Sequence, residues 1–227
     1  MDMEKPVIYT AIFGKVSKLG LVYKLNDPVH PDGRCEYVCF TDHENFTSNI
    51  WRIVRDDPPG DQRLRAKVYK MLPHKYFPNE VSLWVDGAIT ITSEDIYGFI
   101  QENINKSKWS LFLNPYNKSV EELMNYLIES KRIDAETVRK QYEEYLNGGF
   151  PNGVRPIKGG VLLRKTHDKE VIRFNEEWWK HNLRYCSWDE MSFPYVAWKL
   201  GWKLGQNYQE FGYSMYENKH FNVPQLG

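Results

Sequence analysis

The sequence predicts an α/β fold in which a mixed sheet is flanked by helices and interrupted by a helical insertion. Three observations carry this expectation. Short apolar runs rich in Val, Ile, Tyr and Phe alternate along the chain with stretches of helical period. Two of those runs, residues 37–42 and 81–86, stop at a carboxylate, at the kind of strand end where open α/β sheets gather ligand-binding groups. Between residues 115 and 150, two helical stretches with capping signals follow one another without a strand between them.

At 227 residues the chain can bury one sizeable core, and residues 1–227 are read as a single domain. Thirty basic and thirty acidic side chains cancel to a net charge of zero, which gives no electrostatic signature for nonspecific binding to nucleic acid or membrane. Cys35, Cys39 and Cys186 are odd in number and lack the second ligand pair of a zinc site, so reduced thiols and a cytoplasmic location are expected. No apolar stretch reaches bilayer-spanning length, and residues 1–6 lack the apolar core of a signal peptide. Eight Trp, fifteen Tyr and eleven Phe are numerous for this length. Such rings suit stacking on sugars or bases and equally fill cores.

The elements follow in order. Residues 7–14 form a first strand closed by Gly14, with Thr10 and Phe13 placed to touch a ligand held by the loop that follows. Residues 15–33 resist assignment apart from the turns at Asn26-Asp27-Pro28 and Pro31-Asp32-Gly33. Residues 37–42 form a second strand ending at Asp42, and residues 51–54 a third. From Asp61 the period changes: Leu64, Val68, Met71 and Leu72 make the stripe of an amphipathic helix, with Arg63, Arg65, Lys67 and Lys70 on its other faces. Thr92-x-x-Asp95 starts a helix carrying Ile96, Phe99 and Ile100, and residues 109–113 return to strand. Ser119-x-x-Glu122 and Asp134 cap the two helices of the insertion, the second ending at Gly148-Gly149. A strand at residues 160–164 precedes helices at residues 171–182 and 187–200, and Gly201 stops the last.

Residues 81–91 lie at the centre of this arrangement. Val81, Leu83 and Val85 alternate with Ser82 and Trp84, so Asp86 falls at the carboxyl end of a mostly buried strand. Asp86-Gly87 serves equally as the turn of a β-hairpin. A diphosphate-linked ligand at such a strand end needs positive charge, from a divalent metal or from Lys and Arg side chains. Arg63, Arg65 and Lys67 precede it on a helix that either packs nearby or presents them to solvent.

The succession Tyr37-Val38-Cys39-Phe40-Thr41-Asp42, Arg63-Leu64-Arg65-Ala66-Lys67 and Leu83-Trp84-Val85-Asp86-Gly87 resembles the amino-terminal half of GT-A-type nucleotide-sugar glycosyltransferases. More closely, the chain resembles the glycosyltransferase-like domain of a family best known from plant proteins linked to pectin and mucilage. Gly149-Phe150-Pro151, Gly160-Val161-Leu162-Leu163-Arg164, Trp178-Trp179 and Asp189-Glu190-Met191-Ser192-Phe193 extend the match over residues 7–200.

The resemblance implies a GT-A-like (Rossmann-like) fold that moves a sugar from a nucleotide-diphosphate donor to an acceptor hydroxyl, on a glycan or another acceptor, modified nucleic acid included. It implies a divalent metal, Mn²⁺ or Mg²⁺, at an Asp-x-Asp motif. Here that motif is reduced to Asp86, because position 84 is Trp, and His220 stands where related enzymes supply a second ligand. Asp42 and strand-end neighbours are implied as nucleoside contacts, Arg63 and Lys67 as diphosphate contacts, and Trp84 and Asp86 as neighbours of the donor. By their own chemistry, Gly159 and Gly160 either let the backbone approach a sugar closely or form a turn. Asp189 and Glu190 match an acidic pair that faces the reacting sugar, which makes them the catalytic candidates. Ser187-x-x-Glu190 is also a capping box, so Glu190 has a purely structural alternative. Trp178, Trp179 and Trp188 are acceptor-stacking candidates, with at least one of the first two expected in the core. A nonenzymatic nucleotide or sugar binder and an interaction scaffold are the competing expectations.

Overall fold

The computed structural model describes residues 4–14, 24–186 and 188–224. Its elements run β1 (Val7–Ile12), β2 (Glu36–Thr41), β3 (Arg52–Arg55), α1 (Gln62–Met71), β4 (Val81–Val85), β5 (Thr90–Ile91), α2 (Ile96–Ile104) and β6 (Trp109–Leu113), then α3 (Val120–Glu129), α4 (Ala135–Asn147), β7 (Ile157–Lys165), α5 (Lys169–Arg184), α6 (Asp189–Lys199), β8 (Gln209–Glu210) and β9 (Phe221–Asn222). Seven strands form one mixed sheet in the order β3-β2-β1-β4-β7-β6-β8, and β5 pairs with β9 apart from it.

β1 is parallel to β2 on one side and to β4 on the other. The chain therefore reverses its direction of travel across the sheet at β1, and the crevice between the carboxyl ends of β1 and β4 is a topological switch point. β7 is antiparallel to β4, with Val85 opposite Val161. Its first residues thus lie at the carboxyl end of β4, where Asp86 N–H donates to Gly160 C=O at 2.8 Å.

Both faces of the sheet are covered, which is why its central strands are apolar almost throughout. Val7, Tyr9, Ala11, Trp84 and Leu162 point to the layer that holds Tyr69 of α1, Phe174 and Trp178 of α5 and Phe193 of α6. Ile8, Ile12, Leu83, Val85, Val161 and Leu163 point to the opposite layer with Ile96, Phe99 and Ile100 of α2 and Phe221 of β9. The α3–α4 insertion builds a third cluster, in which Leu127, Val138 and Tyr145 meet Met191 of α6. All three cysteines are free and buried, and burial pushes the Cys39 thiol up to about 12.

Local signals explain the boundaries. Asp61, Asp134 and Asp168 each accept backbone N–H bonds at the starts of α1, α4 and α5. Ser119 accepts from Glu122 N–H, while the Glu122 carboxylate reaches back to Lys118 N–H, one residue before the N-cap. α6 ends in a Schellman motif: Gly201, at φ +70°, donates to Trp198 C=O, and Trp202 N–H returns to Ala197 C=O.

Several expectations are corrected. Asp95 alone caps α2, through Gly98 N–H, while the Thr92 hydroxyl is spent on Lys219 C=O. Asp86-Gly87 does lie in a turn, closed by Ile89 N–H to Asp86 C=O, but β5 pairs with β9 and not with β4, so no hairpin forms. On α1, Tyr69, Lys70 and Met71 are buried while Leu64 and Val68 are half-buried. Met71 and Leu72 of the expected stripe are buried and Val68 packs against the core from its edge. The buried face thus takes in the carboxyl end of that stripe together with Tyr69 and Lys70, whose ammonium finds counter-ions inside the fold. Trp178 is core and Trp179 half-buried. Residues 15–23 and Ser187 lie outside the described residues, and with them the Ser187 half of the proposed capping box.

Candidate functional site

The switch point collects charges from four separate stretches of chain. α1 contributes Lys67 and Lys70, whose i, i+3 spacing puts them on one helix face. Asp86 directly follows β4, Lys158, Gly159 and Gly160 come second to fourth in β7, and α6 begins with Asp189 and Glu190.

Asp189 is the hub. Lys67 Nζ lies 2.5 Å from its Oδ1 and Lys70 Nζ 2.6 Å from its Oδ2. Lys70 Nζ also stands 3.5 Å from Asp86 Oδ1 and 5.5 Å from the centre of the Trp84 ring. Trp84 in turn donates its indole N–H to the same Asp86 oxygen at 2.6 Å. The residue that stands in place of the first Asp of an Asp-x-Asp pattern therefore orients the carboxylate at the second. Glu190 Oε1 accepts from Gly159 N–H at 3.1 Å and pairs with Lys158 at 3.3 Å, so its side chain faces β7 and not the start of its own helix. Pro194 sits inside α6 and lacks the N–H that would bond Glu190 C=O.

Exposure separates the roles. The Lys70 side chain is 1 % exposed and that of Asp189 6 %, whereas Asp86 is 44 % exposed. Asp86 is the carboxylate of this network that solvent reaches most freely. Burial works against charge on Asp189, but the two ammonium groups outweigh it and hold its carboxyl well below the usual range. Burial likewise opposes the charge on Lys70, and Asp189 and Asp86 outweigh it, keeping the ammonium above its ordinary value. Lys67 differs: burial exceeds the help from Asp189, and the adjacent Lys70 ammonium adds to the effect, bringing it down to about 8.

The backbone is fitted to this network. A Cβ on Gly159 would lie 2.9 Å from Asp189 Oδ2 and 3.0 Å from Lys70 Nζ, and one on Gly160 only 2.5 Å from the Met215 methyl and 3.6 Å from Asp86 Oδ2. The open side of Gly159 is filled by the ion pair itself. Beneath α1, the buried Arg164 donates to the Tyr9 hydroxyl, which donates to Lys70 C=O at 3.3 Å, tying the helix to β1 at the residue whose side chain carries the charge.

The remaining candidates surround this centre. Asp42 accepts from Gly14 N–H at 3.1 Å and pairs with Arg65 at 3.1 Å, closing the end of β1 onto β2. Phe13 is buried, with the Arg65 guanidinium 4.8 Å over its ring. Thr10 is buried with no hydrogen-bond partner for its hydroxyl among the described residues. Arg63 stacks on Trp188, its guanidinium 4.5 Å from the ring centre.

The family model described as TOD1/MUCI70, glycosyltransferase-like domain, matches residues 35–223. The chain belongs to the TOD1/MUCI70 family. It is 28 % identical over 172 residues to an Arabidopsis thaliana protein named probable hexosyltransferase MUCI70, a match that covers 70 % of this chain and 29 % of that protein. The chain thus corresponds to under a third of the curated relative's length. A solved apo structure of the bifunctional glycosyltransferase WbbM aligns with a TM-score of 0.49 and 9 % identity, over 93 % of this chain and 39 % of WbbM. No helix among the described residues is long and apolar enough to cross a membrane.

The donor set of this TOD1/MUCI70 domain does not fit a divalent ion held by the protein. Asp86 Oδ1 is engaged by an indole N–H and an ammonium, and Asp189 and Glu190 are paired with lysines. His220 Nδ1 lies 2.8 Å from Ser93 Oγ, and its ring packs on Phe99 and Tyr213. No group of three or more His, Cys, Asp or Glu side chains among the described residues is arranged to hold a metal. Of the expected site residues, Lys67, Trp84, Asp86, Gly159, Gly160, Asp189 and Glu190 come together. Arg63 lies one turn beyond Lys67, Asp42 belongs to the neighbouring strand-end cluster, and His220 contacts none of these residues by hydrogen bond or ion pair. Sequence reasoning missed Lys70, which the i, i+3 spacing from Lys67 signals, and Lys158, which no spacing signals.

Proposed function

We propose that this domain transfers a sugar from a nucleotide-diphosphate donor to an acceptor hydroxyl at the switch point between β1 and β4. The observation that supports the reading most is the Asp86–Lys70–Asp189–Lys67 chain of ion pairs, set at the strand end where an α/β sheet binds nucleotides. Asp42 and the β1 end groups Thr10 and Phe13 line the nucleoside side. Lys67 and Lys70 face the diphosphate, and Asp86 meets the donor.

Fixed ammonium groups aimed at a departing diphosphate stabilise the charge that develops on it as the glycosidic bond breaks. Asp189 holds Lys67 and Lys70 in place for that purpose. A carboxylate kept far below its usual range is a weak proton acceptor, so Asp189 positions these groups, and Glu190 or Asp86 is the carboxylate placed to act on the acceptor hydroxyl. The Mn²⁺ or Mg²⁺ expected from the family resemblance is tested alongside, by comparing donor binding in excess Mn²⁺ and in chelator.

The test is a thermal-shift screen of nucleotide sugars, followed by a donor-hydrolysis and transfer assay on any hit. A true ligand raises the melting temperature increasingly as its concentration exceeds its dissociation constant, and Asp86→Asn removes turnover. Turnover unchanged in both Asp86→Asn and Asp189→Asn overturns the site. A second reading, a nucleotide-sugar binder without turnover, is favoured by the ion-paired state of Asp189. It predicts the thermal shift without donor hydrolysis.

A further inference from the structure

Around the switch point the charges cancel: Lys67, Lys70 and Lys158 are matched by Asp86, Asp189 and Glu190. Arg65 is matched as well, by Asp42 and Asp57. A polyanionic ligand entering there meets no net positive charge from these groups. Adjacent guanidinium groups without a carboxylate partner lie one helical turn beyond Lys67.

Arg63 lies four residues before Lys67 on α1, and Trp188 immediately precedes Asp189. Lys67–Asp189 and Arg63–Trp188 are therefore successive rungs between the same two segments. A third segment reaches the same ring: Arg132, in the connection between α3 and α4, has its guanidinium 5.9 Å from the Trp188 ring centre and 5.4 Å from that of Tyr126. Neither Arg63 nor Arg132 has an ion pair among the described residues, and the side chains of both are half-buried. The Trp188 indole N–H is buried and has no hydrogen-bond partner among the described residues.

We infer that Arg63, Arg132 and Trp188 form an oxyanion subsite at the mouth of the site, with the helical insertion supplying one of its two cations. The inference rests on the proposed transferase reading for the identity of its ligand but not for its existence. A guanidinium stacked on an aromatic ring loses little freedom when it binds, and its in-plane N–H groups stay available for bidentate contact with carboxylate or phosphate. Two guanidinium groups packed against the half-buried Trp188 ring leave little of its surface for a neutral sugar to stack on. The ligand chemistry is thus an oxyanion, from one of two sources: the diphosphate of the donor, or a carboxylate on an acidic acceptor.

The experiment is titration calorimetry on the full chain with three probes: UDP, a trisaccharide of hexuronic acid, and the same trisaccharide with its carboxyl groups reduced to alcohols. Arg63→Gln and Arg132→Gln are compared with Arg139→Gln, an exposed arginine on α4 that serves as the control. The Arg63 and Arg132 guanidinium groups make no hydrogen bond or ion pair among the described residues, so these variants are expected to fold.

The expected result is at least a tenfold loss of affinity for UDP or for the acidic trisaccharide in both Arg63→Gln and Arg132→Gln, none in Arg139→Gln, and a steep weakening of the affected probe with salt. Loss confined to UDP identifies the donor as the source, and loss confined to the acidic trisaccharide identifies the acceptor. Unchanged affinities in both variants, equal binding of the acidic and reduced trisaccharides with no effect on UDP, or no binding of any probe by the parent chain overturns the subsite. Absence of donor hydrolysis together with arginine-dependent binding refutes the transferase reading and leaves the subsite standing.

Discussion

Replacing Lys70 by Met tests whether the ion-pair chain is a structural unit. Met retains the unbranched stem beneath Trp84 and deletes only the ammonium, which is 1 % exposed and lies 2.6 Å from Asp189 and 3.5 Å from Asp86. Removing one partner of a buried pair ordinarily costs about 3–5 kcal/mol, because the other charge is left stranded. Asp86 is 44 % exposed and turns to water, and Asp189 keeps Lys67 on its other oxygen. The loss should therefore fall near the low end, about 3 kcal/mol. Asp189→Asn strands Lys67 and leaves Lys70 only the partly exposed Asp86, so it should cost at least as much. The double variant Lys70→Met/Asp189→Asn leaves Lys67, with its side chain 13 % exposed, as the one stranded charge, so its loss should be smaller than the sum of the two single losses by about 2 kcal/mol. Urea denaturation of the four proteins measures this coupling. A loss below about 1 kcal/mol in Lys70→Met, or losses that add to within about 0.5 kcal/mol, would refute the reasoning.

Other perturbations probe the same region. Gly159→Ala places a methyl against Asp189 Oδ2 and Lys70 Nζ. Because both groups are locked in the buried ion-pair network, unfolding free energy should fall by about 1–3 kcal/mol, and nucleotide-sugar affinity in calorimetry should fall about tenfold, equivalent to 1.4 kcal/mol. Trp84→Phe keeps an aromatic ring but deletes the N–H that orients Asp86 and leaves part of the buried indole's volume empty, so donor turnover should drop and the melting temperature should fall by several degrees. The pH dependence follows from Lys67, whose pKa of about 8 lies below its ordinary 10.5. Nucleotide-diphosphate affinity should decline as pH rises through 8 and the ammonium is lost, and Lys67→Arg should flatten the profile. Between pH 8 and 10.5 the unfolded chain holds the proton that the folded one has released, so this group makes the fold more stable as pH rises. Melting temperatures across that range distinguish loss of binding from loss of structure.

The fold was legible wherever a single segment carried its own signal. The apolar runs ending at Asp42 and Asp86, the caps at Ser119 and Asp134, and the stop at Gly201 all depend on neighbours within a few residues, and each lies where the pattern put it. Legibility failed where a partner distant in sequence decides the outcome. Lys70 reads as a solvated lysine until Asp189, more than a hundred residues later, is placed beside it. β5 reads as the return strand of a hairpin until Phe221 arrives to pair with it. The convergence of Asp86 with Asp189 was anticipated through family resemblance, since no spacing within the sequence encodes it. Lys70, which joins them, was not, because propensity and periodicity describe an isolated helix and do not say which of its charges will meet a counter-ion in the interior.

The two outer strands of the large sheet have a consequence for how the protein behaves at high concentration. β3, at one edge, is four residues long, begins and ends with an exposed arginine, and presents Arg52 and Arg55 to any approaching strand. β8, at the other, has only two residues. An intruding chain would find too little backbone to pair with on one side and repelling charge on the other. The sheet can therefore keep its central strands nearly all apolar without becoming a template for self-association.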